Sequence, residues 1–401
     1  MRVLITGGGT GGHVFPALAI ADALKSLTPA PEILFVGSAT GLEATAVPQA
    51  GYSFRGLPAM SLPRRFSFRL IRAGFANLRS VLKAREIVDS WKPDVVFATG
   101  GFASAAVLVA GWMARVPVVL HEQNTVPGLT NRIASRFARE VHLTYSASRY
   151  HFPRRGHLRL SGVPLREGIL QGSRGKALRL FRLEDDRRTV LVFGGSQGAH
   201  TLNEAVADAL PRFAGRRDVQ FVIQAGQKDH AWMLERCRGV PVRTWVRPFI
   251  LNMGDAYAAA DLVVCRAGAL TLAELAATGR PSILVPYPHA TANHQTLNAE
   301  IPVDAGAAIL IPDGELTGEL LAERIIELLD EPRRLRMMSI QSMKLAKPDA
   351  TDRIVRAIRR IGEGTDPGAE PEELEPPGPR YERERGPRRR PRGAHAAYPN
   401  P

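Results

Sequence analysis

Cysteine is scarce: the 401 residues contain two, Cys237 and Cys265, too few and too far apart for a disulfide framework or a thiolate metal site. Cys265, in the apolar run Leu262-Val263-Val264-Cys265, reads as core. Long hydrophobic runs are missing as well. The longest, Phe102 to Ala114, spans 13 residues and stops at Arg115, short of the ~20 needed to cross a bilayer. The chain opens Met1-Arg2-Val3-Leu4-Ile5-Thr6 and turns at once into glycines, so no secretory leader is expected. Any membrane contact is expected to be peripheral.

Positive charge is plentiful: 53 Lys and Arg stand against 39 acids, a formal charge of +14. Residues 362–401 do not supply it, holding seven arginines and eight acids. They also hold nine prolines, one leucine and no isoleucine or valine, and are expected to be disordered. The basic body favours an anionic partner: nucleic acid, an anionic membrane surface or a phosphorylated substrate. Charge alone does not choose among them.

Short β-rich runs alternate with helical patterns. Arg2–Thr6, Glu32–Gly37, Val95–Thr99 and Val116–His121 read as buried strands, and Phe15–Ser26, Leu70–Trp91, Ala103–Ala114 and Leu129–Phe137 as helices. Such alternation implies parallel sheets covered by helices. The design then restarts. Residues 171–188 look partly like linker, Thr189–Phe193 is a new strand, and Val219–Ala225, Val242–Trp245, Leu262–Cys265 and Ser282–Pro286 follow. Two Rossmann-like halves facing across a cleft are expected, at residues 1–163 and 164–361, with the last helix packing back on the first half.

Gly7-Gly8-Gly9-Thr10-Gly11-Gly12-His13 follows the first strand, and Gly194-Gly195-Ser196-Gln197-Gly198 follows the restart. Glycine-rich turns bring a ligand close to the amides at a helix N-terminus. The first loop also fits G-x-G-x-x-G, but a nicotinamide enzyme needs an acid at the end of the second strand to hold the ribose. That strand ends Phe35-Val36-Gly37-Ser38, with no acid until Glu43. Neither loop runs into Gly-Lys-Ser/Thr, so neither is a P-loop.

Three more segments are specific: His121-Glu122-Gln123-Asn124-Thr125-Val126-Pro127-Gly128-Leu129-Thr130-Asn131-Arg132, Gly268-Ala269-Leu270-Thr271-Leu272-Ala273-Glu274, and residues 286–299, Pro-Tyr-Pro-His-Ala-Thr-Ala-Asn-His-Gln-Thr-Leu-Asn-Ala. With the two loops, these segments resemble the N-acetylglucosaminyltransferases that convert lipid I to lipid II in peptidoglycan synthesis. The resemblance covers about residues 1–361. It implies the α/β GT-B fold, UDP-N-acetylglucosamine as donor and lipid I as acceptor. It implies other cell-wall and division proteins as further partners, but not nucleic acid. Asn293 departs from the family, which often has an acid there.

Carried over by residue, the resemblance puts Glu274 on the ribose hydroxyls and Ser196 on the diphosphate. It puts Ile250 on uracil through its backbone and Gln295 on the transferred sugar. Ala269, Leu270 and Thr271 would meet the diphosphate, with Leu272 and Ala273 beside them, and Thr10, Gly11, Gly12, Asn124 and Arg166 would complete the donor site. The acceptor diphosphate would lie near the first glycine loop. The implied displacement at the anomeric carbon needs a proton acceptor, and His13 and Glu122 are the two candidates. No Asp-x-Asp pair ends a strand, so no catalytic metal or cofactor is expected. A UDP-N-acetylglucosamine 2-epimerase shares fold and donor and is the alternative. The basic and apolar residues interleaved from Leu62 through Phe66, Phe68 and Arg72 to Phe75, Leu78 and Arg79 fit an anionic lipid surface, at the cytoplasmic face of the membrane.

Overall fold

A computed structural model describes residues 1–60, 68–153 and 157–365, with side chains in the helix Phe68–Trp91 from Ala73 onward. The segment 61–67, the side chains of Phe68 and Arg72, and the tail from residue 366 lie outside the described residues.

Seven strands build the first sheet: β1 (Arg2–Thr6), β2 (Glu32–Ser38), β3 (Ser53–Leu57), β4 (Val95–Ala98), β5 (Val118–Glu122), β6 (Glu140–Leu143) and β7 (Leu158–Leu160). Their spatial order is β3-β2-β1-β4-β5-β6-β7, parallel throughout. Six build the second: β8 (Arg188–Phe193), β9 (Val219–Gln224), β10 (Arg243–Arg247), β11 (Leu262–Cys265), β12 (Ser282–Leu284) and β13 (Ala308–Leu310). Their order is β10-β9-β8-β11-β12-β13, again parallel. β1, β4, β5, β8 and β11 are near-continuous apolar runs because helices cover both faces of each sheet. In both orders the direction of winding reverses beside the first strand, between β1 and β4 and between β8 and β11. Ligands bind at the carboxyl ends of the strands at such points. The first glycine loop follows β1 and the second follows β8.

The segment 171–188 is not a linker. It forms the helix Arg174–Leu180, capped by Ser173, and sinks Ala177 and Phe181 into the second core. The Phe181 ring lies 4.6 Å from that of Trp245. The first helix begins at Gly11, earlier than its pattern suggests, and so carries His13 in its first turn. The last helix, Ala350–Gly362, presents Ile354, Ile358 and Ile361 on one face, and these pack with Val3, Ile5 and Phe97 of the first sheet. Arg360 of that helix pairs with the buried Glu140 of β6.

Candidate active site

The two halves meet through the loop after β5. Asn298, fully buried in the helix His294–Asp304, accepts hydrogen bonds at Oδ1 from the Thr125 amide and the Thr125 hydroxyl, each at 3.0 Å. Its Nδ2 donates to Asn124 Oδ1 at 3.2 Å. Asn124 is thus fixed at the cleft by a residue from the opposite half. No local signal in the sequence marks a partner 174 positions away.

Glu122 roots the same loop. Its Oε1 accepts from the Asn124 amide at 3.0 Å and Asn124 Nδ2 at 3.4 Å; its Oε2 accepts from the Gly128 amide at 3.1 Å and Asn131 Nδ2 at 2.9 Å. A carboxylate has about four acceptor positions, and all are taken. Burial raises its pKa. The geometry is that of a loop staple and leaves no lone pair to receive a substrate proton.

His13 differs. Its Nδ1 lies 2.8 Å from the Thr99 carbonyl oxygen and 3.1 Å from Gln123 Oε1. Burial lowers its pKa, opposed by these hydrogen bonds, and the nearby charge of His294 lowers it further. His13 and His294, from the two halves, are thus close enough for their charges to interact. The loop before His13 is held from below: Glu43 accepts from the amides of Gly9 at 3.0 Å and Ser38 at 2.9 Å. A Cβ at Gly8 would overlap the Glu43 carboxylate, so the loop closes over that acid only as glycine. Glu43 is spent on backbone amides and does not await a ribose.

Three helices meet this region with uncapped N-termini: Gly11–Lys25, His200–Ala209 and Ala269–Thr278 have no side-chain cap and no acid in the first turn. Uncapped amides and the positive helix end favour an anion. Thr10, Gly11 and Gly12 sit at the first of these N-termini, the loop bearing Ser196 precedes the second, and Ala269, Leu270 and Thr271 form the third. Leu272 is packed in the core, and with Ala273 it borders an interdomain cavity of about 700 Å³ that the glycine loops do not line.

Glu274, one turn into the third helix, is 8% exposed and accepts from the Tyr257 hydroxyl at 2.8 Å. Burial pushes its pKa up to about 7, while Tyr257 and the charge of Arg166 hold it down. Arg166 also stacks on Phe15 at 4.8 Å, bridging the first helix and the donor side. Tyr257, fully buried, had no signal in the sequence beyond being a lone aromatic in an alanine-rich helix. The Ile250 amide donates to Gln224 Oε1 at 2.8 Å and so is not available to a base. Gln295 Oε1 accepts from the Tyr287 amide at 2.9 Å, which fixes the side-chain amide beside residues 286–288. Asn293, where the family often has an acid, adopts a left-handed φ of 54° that asparagine tolerates better than most residues.

Models of the glycosyltransferase family 28 N-terminal domain match residues 3–143, and of its C-terminal domain residues 189–354. The chain is 40% identical over 367 residues to the UDP-N-acetylglucosamine--N-acetylmuramyl-(pentapeptide) pyrophosphoryl-undecaprenol N-acetylglucosamine transferase of Desulforamulus reducens, covering 90% of this chain and 99% of that protein. It superposes on the crystal structure of Acinetobacter baumannii MurG with a TM-score of 0.70 and 29% identity, over 90% of this chain and 99% of that one. UDP-GlcNAc 2-epimerase from Neisseria meningitidis, solved with UDP-GlcNAc bound, superposes with a TM-score of 0.65 over 90% of this chain and 100% of that one. At 12% identity that likeness shows the fold alone.

Proposed function

This chain belongs to glycosyltransferase family 28, and from that premise we propose that it moves N-acetylglucosamine from UDP-N-acetylglucosamine to the C4 hydroxyl of N-acetylmuramic acid in lipid I, giving lipid II. The observation that carries the reading is the similarity to transferases of that name along nearly their whole length. The acceptor hydroxyl attacks the anomeric carbon from the face opposite UDP, its proton passes to His13 Nε2, and the bond to the diphosphate breaks with inversion. The uncapped helix at Ala269 and the loop at Ser196 take up the charge that develops on the leaving diphosphate. Glu274 accepts the ribose hydroxyls with the oxygen that Tyr257 leaves open.

The acceptor's lipid calls for a surface at the membrane, and the first half offers one. Phe75, Leu78 and Leu82 share one face of the helix Phe68–Trp91 and are 67%, 59% and 59% exposed. Trp112 and Met113 on the helix packed beside it, and Leu129 and Ile133 beyond, are exposed as well, among Arg79, Arg115, Arg132 and Arg136. No helix among the described residues is long and apolar enough to cross a membrane, which agrees with docking by a face.

The test is direct. With labelled UDP-N-acetylglucosamine and a lipid I analogue, UDP release should require the acceptor and yield a disaccharide. Formation of UDP-N-acetylmannosamine without acceptor would instead establish the epimerase.

A further inference from the structure

Behind the His13 ring runs a chain of buried polar groups that the displacement itself does not use. It starts where the backbone leaves the first half. Gly162 has a φ of +90°, and a Cβ there would stand 2.5 Å from Lys347 Cβ, on the strand of chain that returns to the first half. Its carbonyl oxygen is 2.8 Å from His121 Nε2. A carbonyl only accepts, so Nε2 carries the proton and His121 Nδ1 is a bare acceptor. The Gln123 amide nitrogen, 3.0 Å from that Nδ1, donates there and to the Thr99 carbonyl at 3.0 Å. The opposite amide orientation would set an oxygen against two acceptors. Gln123 Oε1 is thereby turned to His13 Nδ1 at 3.1 Å, and the Thr99 oxygen faces the same nitrogen at 2.8 Å. Two acceptors on Nδ1 require a proton there. His13 Nε2 is then bare; it has no hydrogen-bond partner among the described residues and is not sealed from solvent.

We infer that Gln123, backed by His121, is a positioning residue for His13: together they hold its imidazole as the Nδ1–H tautomer, with Nε2 open to receive a proton. The role bears on catalysis only if His13 is the base proposed above, but the tautomer can be read without turnover. The chain of bonds is stable across the working range, because burial holds the His121 pKa down at about 3 and keeps it neutral. The titratable groups facing His13 are Glu43 from the helix Glu43–Gln49, His294 from across the cleft and His121 from β5. None of them lies between Gln123 and Nδ1.

Two variants should move His13 in opposite directions. Gln123→Met keeps the volume and removes the acceptor, so the His13 pKa should fall by about half a pH unit or more. Gln123→Glu sets a carboxylate against Nδ1–H, so it should rise by about one unit or more. Long-range ¹H–¹⁵N spectra of the full chain report the tautomer and the titration together. The acid limb of the kcat profile should follow in each variant, and Gln123→Met should lower kcat about tenfold with donor KM little changed. If neither variant moves the His13 resonances, or if wild-type His13 carries its proton on Nε2, the positioning role is overturned. If the resonances move and the kcat limb does not, Gln123 positions His13 and it is the base assignment that fails. Should the Glu variant not fold, the Met variant and the wild-type tautomer decide the matter alone.

Discussion

Glu274 is a carboxylate held almost out of water beside Tyr257, and burial lifts its pKa to about 7. A folded pKa above the ordinary value contributes stability at low pH that is lost as pH rises through about 7. Glu274→Gln should therefore be more stable than wild type at pH 8, by up to about 3 kcal/mol, and melt higher there, with no gain below pH ~4.5. The same change removes the charged acceptor of the ribose hydroxyls, worth about 1.5–3 kcal/mol, so donor KM should rise at least about tenfold. Thermal melts at two pH values beside donor kinetics test both halves; an unchanged KM would remove Glu274 from the donor site. Wild-type donor affinity should likewise weaken as pH falls below about 7, where the carboxyl gains its proton. Glu274 could be proposed from the sequence because it stands in a motif. The roles of Tyr257, Glu43 and Asn298 could not be read there, even for Asn298 within its motif, because each acts through a partner that only the tertiary fold brings near.

At the scale of elements, most strands read correctly from sequence are buried on both faces, where a short run is largely apolar; the edge strand β10 is the exception. The strands missed, β3, β6, β7 and β13, are edges or next to an edge; the first three mix in polar residues such as Arg55, Glu140, His142 and Arg159, and β13 is only three residues long. The misread linker at 171–188 hides its two core residues, Ala177 and Phe181, among arginines and acids. The loop after β5 carries a further prediction. Asn298→Ala leaves the buried Thr125 amide without an acceptor, a cost of about 1–3 kcal/mol. It also releases Asn124. The variant should melt lower and show a raised donor KM, whereas a substitution that only loosened packing would lower the melting point alone. Differential scanning fluorimetry and donor kinetics on one preparation separate the two.

For the whole molecule, chemistry and docking are assigned to different surfaces. Most of the residues proposed for the donor, Ser196, Ile250 and the helix Ala269–Thr278, follow strands of the second sheet, while Phe75, Leu78 and Trp112 stand on helices flanking the first. The helix Phe68–Trp91 buries Ala84, Ile87 and Val88 on one face and exposes Phe75 and Leu78 on another. Replacing Phe75, Leu78 and Trp112 together with serine should leave the fold intact, because the exposed side chains contribute little to the core. It should weaken binding to vesicles containing anionic lipid and leave turnover of a short-chain, water-soluble lipid I analogue nearly unchanged. Wild-type binding should also fall as salt rises, because each basic residue near an anionic surface contributes only ~1 kcal/mol within a Debye length of it. Some binding should persist at high salt, since apolar insertion is not screened. Co-sedimentation at low and high salt, run beside the soluble-acceptor assay, reads each contribution separately. A serine variant that still sediments like wild type would move the membrane face elsewhere, while one that lost soluble turnover would show that these helices support the acceptor site itself.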